Sequence, residues 1–372
     1  MNEMVYRPGL EGIIAGETAI STILGGLRYR GYAIEDLASH ASFEEVAYLI
    51  LHGELPNQEE LSGFLARLHE AMEIPEELQA IIRLVNQDAL PMDVLRSAAS
   101  LLGHWDTETA DNSHEANLRK SERLLAQLPV ALAAFHRHRL GESMLSADPE
   151  LSFAANVLWL LTGTKPDELA TQAMNVTLIL YAEHEFNAST FTSRVVASTL
   201  SDLHSTITAA VGALKGPLHG GANERVMDVL REVGSADKAE AWIREALANK
   251  VRIMGFGHRV YKTGDPRAKF LKSLSQQLAN TSDDSGLEEI AAVIEEIVVA
   301  EKGLPPNLDW PSARVYFYLG LPIDLYTPLF VLSRVVGWSA HVIEQHDNNR
   351  LIRPRANYTG PDLRTLVPIE NR

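Results

Sequence analysis

Residues 253–267 read "IMGFGHRVYKTGDPR", and this stretch decides between two fold classes. Gly255 and Gly257 open like the glycine turn of a dinucleotide-binding α/β sheet. That turn needs a third glycine, and Val260 stands in its place. It also needs a preceding strand, whereas "DKAEAWIREALANK" just upstream carries a helical period. A Walker-type phosphate loop fails too, because no GK[ST] follows. What remains is flexible backbone around His258, with Arg259, Lys262 and Arg267 nearby. Asp265-Pro266 is expected to cap the next helix and turn Arg267 back toward the loop. Taken alone, the stretch reads equally well as an anion site containing a histidine or as a solvated basic turn.

Outward from this loop, the helical period dominates. "SFEEVAYLILHGELP" has a Ser42 cap, acids in its first turn and a Gly-Glu-Leu-Pro stop. "PMDVLRSAASLLG" starts on Pro91 and ends at Gly103. Further periods run through "NLRKSERLLAQLPVALAAFHRHRL", "DELATQAMNVTLILYAEHEF", "NERVMDVLREVG" and "TPLFVLSRVVGWSAHVIEQHDN". Strand signals are confined to "GIIAGETAISTIL" and "LRYRGYAI", which flank Gly25-Gly26 and predict a small hairpin. The fold class is therefore mainly α with a minor N-terminal β element. No solenoid-length repeat or low-complexity tract interrupts it.

Composition narrows the function. A chain of 372 residues exceeds the usual single-domain size, so two domains are expected. The net charge of −16 opposes any global attraction to nucleic acid or an anionic membrane, although clustered arginines can still reverse the field inside a cleft. Without cysteine there are no disulfides, thiol nucleophiles or Cys-type zinc sites. "MNEMVYRPGL" shows no secretory pattern, and "FAANVLWLL" is too short to span a bilayer. A soluble, cytoplasmic protein is expected.

Three further features carry chemistry. In "KGPLHGGANE" (215–224), Pro217 and the glycines keep the backbone irregular before a helix starts near Asn223. His219 is thus expected beside a positive helix end, which lowers an imidazole pKa and favours the neutral form; a simple loop histidine would look the same. In "PPNLDWPSA" (305–313), Asp309 is expected in a loop before a helix marked by Pro311, a place where many aspartates merely cap. Arg194, Arg334 and Arg353 lie in otherwise apolar surroundings, which costs desolvation unless an anion meets them.

"YAEHEFNAST", "KGPLHGGANE", "GFGHRVYKTGDPR", "NLDWPSA", "SRVVGW" and "RPRANYTG" occur in the order and spacing of the citrate synthase family, which the chain resembles from "GLEGIIAGET" to "YTG". The resemblance implies a mainly α, two-domain homodimer. Residues 1–219 and 321–372 would form the large domain, and residues 220–320 a small domain that closes over the site. It implies condensation of acetyl-CoA with oxaloacetate, then thioester hydrolysis, with no metal or other cofactor. Carried over, His219 would meet the acetyl thioester oxygen, His258 the oxaloacetate carbonyl, and Asp309 would be the base. His184, Arg267, Phe330 and Arg334 would hold oxaloacetate, with Arg353 reaching in from the partner subunit. Gly255, Phe256, Gly257 and Lys262 would contact coenzyme A. The chain departs from the common family form at Tyr181, where a histidine is usual, at Glu183, where an aspartate is usual, and at Pro311. A 2-methylcitrate synthase using propionyl-CoA is the close alternative, since one methylene is discriminated by only ~1–3 kcal/mol. A non-catalytic helical assembly protein would be expected to lack His219, His258 or Asp309, and a metal-dependent hydrolase built on His184, Glu183 and His219 lacks HExxH spacing.

Overall fold

The computed structural model describes residues 6–258, 261, 264–282 and 286–372. Lys262 and Arg259 lie outside the described residues. The expected hairpin is present but minimal. β1 (Ser21–Thr22) pairs antiparallel with β2 (Arg28–Tyr29), and β2 pairs with β3 (Tyr32–Ala33). The turn between β1 and β2 uses Gly25 and Gly26, both at positive φ. Ser21 and Tyr29 sit opposite one another and are buried against the protein interior.

Helices follow with their expected punctuation. α1 (Ile34–His40) leads into α2 (Phe43–His52), where Ser42 and Glu45 form a reciprocal capping box and Gly53 ends the helix in the left-handed region. α3 (Gln58–Ala71) and α4 (Glu76–Leu84) precede α5 (Pro91–Leu102), which begins on its proline. Then come α6 (His114–Arg139), α7 (Phe153–Thr162), α8 (Glu168–Tyr181), α9 (Ala188–Ala197) and α10 (Leu203–Leu214). α11 (Ala222–Val233), α12 (Ala236–Ala248), α13 (Ala268–Ala279), α14 (Gly286–Lys302) and α15 (Asp309–Tyr318) pack chiefly on one another. α16 (Tyr326–Asp347) returns to the first group and packs against α2, α5, α6, α8, α9 and α10.

α16 is apolar on nearly every face because it runs through the middle of that group. Trp338 and Leu332 are fully buried, and burying each such side chain contributes about 1.5–3 kcal/mol. α11 touches α16 and α13 touches α8, so the two helix groups meet where those elements meet. Beyond α16 the chain has no regular structure until a 3-10 turn at Ile369–Asn371, and residues 353–372 are exposed throughout. No helix among the described residues is long and apolar enough to cross a membrane.

Candidate active site

An open cleft of about 730 Å³ lies between the two helix groups. It gathers most of the residues singled out by sequence: His184, His219, His258, Arg267, Asp309, Phe330 and Arg334, with Gly255, Phe256 and Gly257 on one wall. Arg353 does not reach it; it is exposed on the C-terminal extension, past the point where Ile352 N–H donates to Ser198 Oγ (3.0 Å).

The 255–258 loop is held against residues 305–307. Gly257 N–H donates to Pro305 O (2.8 Å), Asn307 N–H to Gly255 O (2.9 Å), and Asn307 Nδ2 to Gly257 O (2.9 Å). This pairing brings the His258 loop beside the segment that leads into Asp309. Gly255 has φ 85, and a Cβ there would come within 2.9 Å of both Trp310 and Val226, so the glycine is needed for close packing as well as for conformation. His258 stacks on Tyr261, ring centroids 4.6 Å apart, and its Nδ1 accepts the Tyr261 backbone N–H (3.2 Å).

Asp309 is the first residue of α15 rather than a loop residue before it, so the helix begins two positions earlier than Pro311 suggested. Pro311 therefore falls in the first turn, where its missing N–H leaves no intrahelical bond unmade. Burial pushes the Asp309 carboxyl up to about 6, against the pull of a Tyr181 hydrogen bond and the Arg267 charge. A carboxylate so placed is a stronger base than a solvated one, yet is still largely ionised at neutral pH.

His219 sits in the turn between α10 and α11, and α11 starts at Ala222. The helix end that meets its ring belongs to α9, not to α11, which follows it in sequence. Asn187 caps α9 through the Thr190 N–H (3.1 Å), and the backbone N–H of Ser189 points at His219 Nε2 (3.3 Å). A backbone N–H can only donate, so Nε2 is an acceptor and the ring proton resides on Nδ1. Ser189 Oγ lies 2.8 Å from the same Nε2 and is steadied by Trp338 Nε1–H (3.1 Å) and Asn187 Oδ1 (2.8 Å). Burial and then the Arg334 charge lower the His219 pKa to about 4, so the ring is neutral at pH 7. A neutral imidazole with a fixed N–H donor suits an oxygen that gains negative charge.

Two buried arginines hang from the C-terminal end of α8, whose last carbonyls have no intrahelical partner. Arg267 Nη1 donates to Leu180 O (3.4 Å), and Arg334 Nε to Tyr181 O (2.7 Å). Their other partners differ. Arg267 makes a two-point ion pair with Asp265, Nε to Oδ1 (2.9 Å) and Nη2 to Oδ2 (2.8 Å). Asp265 also accepts the Arg267 backbone N–H (3.1 Å), whereas the first residue before α13 is Arg267 itself, so Asp265 braces the arginine more than it caps the helix. Arg334 lies over the Phe330 ring at 4.7 Å, and among the described residues no carboxylate bonds to it. Burial pulls its pKa down to about 10, which leaves it charged at neutral pH. Arg194 looked similar in sequence, but Glu344 (2.5 Å) and Gln345 (3.2 Å) satisfy it, so its role is structural.

His184 lies three residues beyond the end of α8, with its ring 5.3 Å from that of His258. Burial first, then Arg267 and Arg334, hold its pKa well below the ordinary value, and Nε2 has no hydrogen-bond partner among the described residues. Glu183 does not line the cleft; Ser21 Oγ and His341 Nε2 both approach its Oε1 at 2.9 Å and fix the turn that carries His184. Among the described residues no group of three or more metal-ligating side chains comes together.

Sequence reasoning missed Ser189 and the bracing role of Asp265, and saw Tyr181 only as a departure. Nothing in "NAST" signals that the start of α9 meets a turn thirty residues away.

A buried carboxylate with a raised pKa, a neutral imidazole with a fixed N–H and a buried guanidinium with no carboxylate bonded to it among the described residues form a set that can draw a proton from a weak carbon acid beside an anion. The comparisons give that class its family. The model "Citrate synthase, C-terminal domain" matches residues 9–355, and the chain belongs to the citrate synthase family. It is 50% identical to citrate synthase 2 of Bacillus subtilis, over 99% of this chain and 100% of that one. It is 46% identical to 2-methylcitrate synthase 2 of Corynebacterium glutamicum, over 98% of each. The solved ternary complex of Thermoplasma acidophilum citrate synthase with carboxymethyl coenzyme A and oxaloacetate is similar with a TM-score of 0.92, 37% identity and 98% coverage of each chain.

Proposed function

We propose that the cleft condenses acetyl-CoA with oxaloacetate and hydrolyses the thioester formed, releasing citrate and coenzyme A. The observation that carries this reading is the pairing of Asp309, raised to about 6, with a His219 whose proton is confined to Nδ1. Asp309 takes a proton from the acetyl methyl while His219 Nδ1–H steadies the enolate oxygen. The nucleophilic carbon then attacks the ketone carbon of oxaloacetate, with His258 donating to the ketone oxygen. Arg334, whose guanidinium has no carboxylate partner among the described residues, and Arg267 bind the oxaloacetate carboxylates, since planar guanidinium groups grip carboxylates at two points. His184 adds a neutral ring to the same pocket, and Phe330 walls it. The Gly255–Gly257 wall faces coenzyme A, for which the family resemblance also implies a Lys262 contact.

The same reading takes residues 220–320 as a small domain that closes on the large one and excludes water until condensation is complete. It also takes the active form to be a homodimer. Arg353 is too far out to serve its own cleft, and the extension beyond it exposes Leu363, Leu366 and Ile369, which supports docking on a second copy that receives Arg353. The absence of cysteine suits a cytoplasmic setting.

Thiol release measured with oxaloacetate present tests the substrate. Acetyl-CoA should give the higher kcat/KM; a clear preference for propionyl-CoA would move the assignment to 2-methylcitrate synthesis, the activity named for the Corynebacterium relative.

A further inference from the structure

Tyr181 ends α8 and is buried, with a hydroxyl that meets two groups of α15. It lies 2.9 Å from Asp309 Oδ1 and 2.8 Å from Ser312 Oγ. A phenol has one proton, and the carboxylate is much the stronger acceptor, so that proton goes to Asp309. Ser312 is left to donate to the phenol oxygen or to Asp309 O at 3.2 Å. The phenol oxygen is the nearer acceptor, so the chain Ser312 to Tyr181 to Asp309 polarises the phenol and strengthens its bond to the carboxylate. The ring itself is fixed, tilted against Phe330 with centroids 4.5 Å apart, and its backbone carbonyl is fixed by Arg334 Nε.

From this geometry we infer that Tyr181 is a positioning residue for the base. Its hydroxyl occupies one lobe of Oδ1, orients the Asp309 carboxylate and stabilises the ionised form, so that the remaining oxygen meets the substrate proton. The inference rests on the reading of Asp309 as the base. Where the common family form has a histidine, this chain thus places a phenol whose hydroxyl reaches the carboxylate.

The groups around Asp309 are Tyr181 on α8, Tyr316 on α15, and Arg267 with Asp265 before α13, while His184, His219, His258 and Arg334 line the same cleft. The Tyr181 bond lowers the Asp309 pKa and partly offsets the burial that raises it. Removing it should therefore move the acid limb of the rate profile upward. His258 and the other cleft groups are common to both proteins, so the displacement between their profiles is what is read.

The test is Tyr181→Phe, which keeps the ring against Phe330 and the carbonyl on Arg334. Expected are a kcat lower by roughly ten-fold or more and an acid limb displaced upward by about one pH unit, with the KM for oxaloacetate within two-fold of wild type. An unchanged kcat and acid limb would overturn the inference, as would a loss confined to the oxaloacetate KM. If Tyr181→Phe fails to fold, Ser312→Ala serves in its place: it should move the same limb in the same direction by a smaller amount, and no displacement would overturn the inference. Wild-type protein is assayed alongside. If it releases no thiol from acetyl-CoA with oxaloacetate, the functional reading fails; if it does and the variants match it, only the role of Tyr181 fails.

Discussion

Replacing Asp309 with asparagine should make the protein more stable at neutral pH while removing the proposed base. In the folded state burial raises this carboxyl from 3.8 to about 6. A group whose pKa is higher folded than unfolded favours folding in its protonated form, and that support is lost as pH rises from the unfolded value through the folded one. The difference of about two units corresponds to about 3 kcal/mol of stability forfeited above pH 7 to keep the carboxylate ionised in the cleft. Asparagine has nearly the same shape, can still accept the Tyr181 hydroxyl proton, and carries no charge. Asp309→Asn should thus gain up to about 3 kcal/mol at pH 8, but only about half of that at pH 5, where the folded carboxyl is already mostly protonated. With an unfolding entropy of about 2.1 cal/mol/K per residue, the gain at pH 8 raises Tm by roughly 4 °C. Scanning calorimetry of both proteins at pH 5 and pH 8 measures it. A variant no more stable than wild type at pH 8, or one whose advantage does not grow with pH, would refute the claim that Asp309 is held ionised against its surroundings.

Arg267 and Arg334, the two arginines proposed to bind oxaloacetate, should behave differently when truncated. Arg267→Ala strands the buried Asp265 carboxylate and should cost about 3–5 kcal/mol of stability as well as weakening oxaloacetate binding. Arg334→Ala strands no carboxylate among the described residues, so urea unfolding should show the smaller loss, while its oxaloacetate KM should rise at least as much; equal destabilisation by the two would contradict the pairing. Gly255→Ala must place a Cβ against Trp310 and Val226 at a positive φ, and should lower stability by about 1–3 kcal/mol; an unchanged melting temperature would show that the loop relaxes freely.

Local punctuation made the helices legible. The Ser42 cap, the Pro91 start and the Gly25-Gly26 turn all act over a few residues, and each stands where the sequence places it. The start of α15 lies two positions before Pro311 because a proline is acceptable anywhere in a first turn. The site was legible as a set of residue types, but not as a set of partners. Arg194 and Arg334 look alike in sequence, and only tertiary structure shows that Glu344 satisfies the first. The helix end beside His219 was expected from the segment that follows it, whereas α9 supplies it from thirty residues upstream. Tyr181 registered as a departure because its hydrogen bond spans 128 positions of sequence.

The central claim is that Asp309 carries the chemistry of this cleft. Thiol release from acetyl-CoA in the presence of oxaloacetate, compared between wild type and Asp309→Ala of equal helical content, tests it most directly. The account predicts a rate lower by about 10³-fold or more in the variant. An undiminished rate would remove Asp309 from the mechanism.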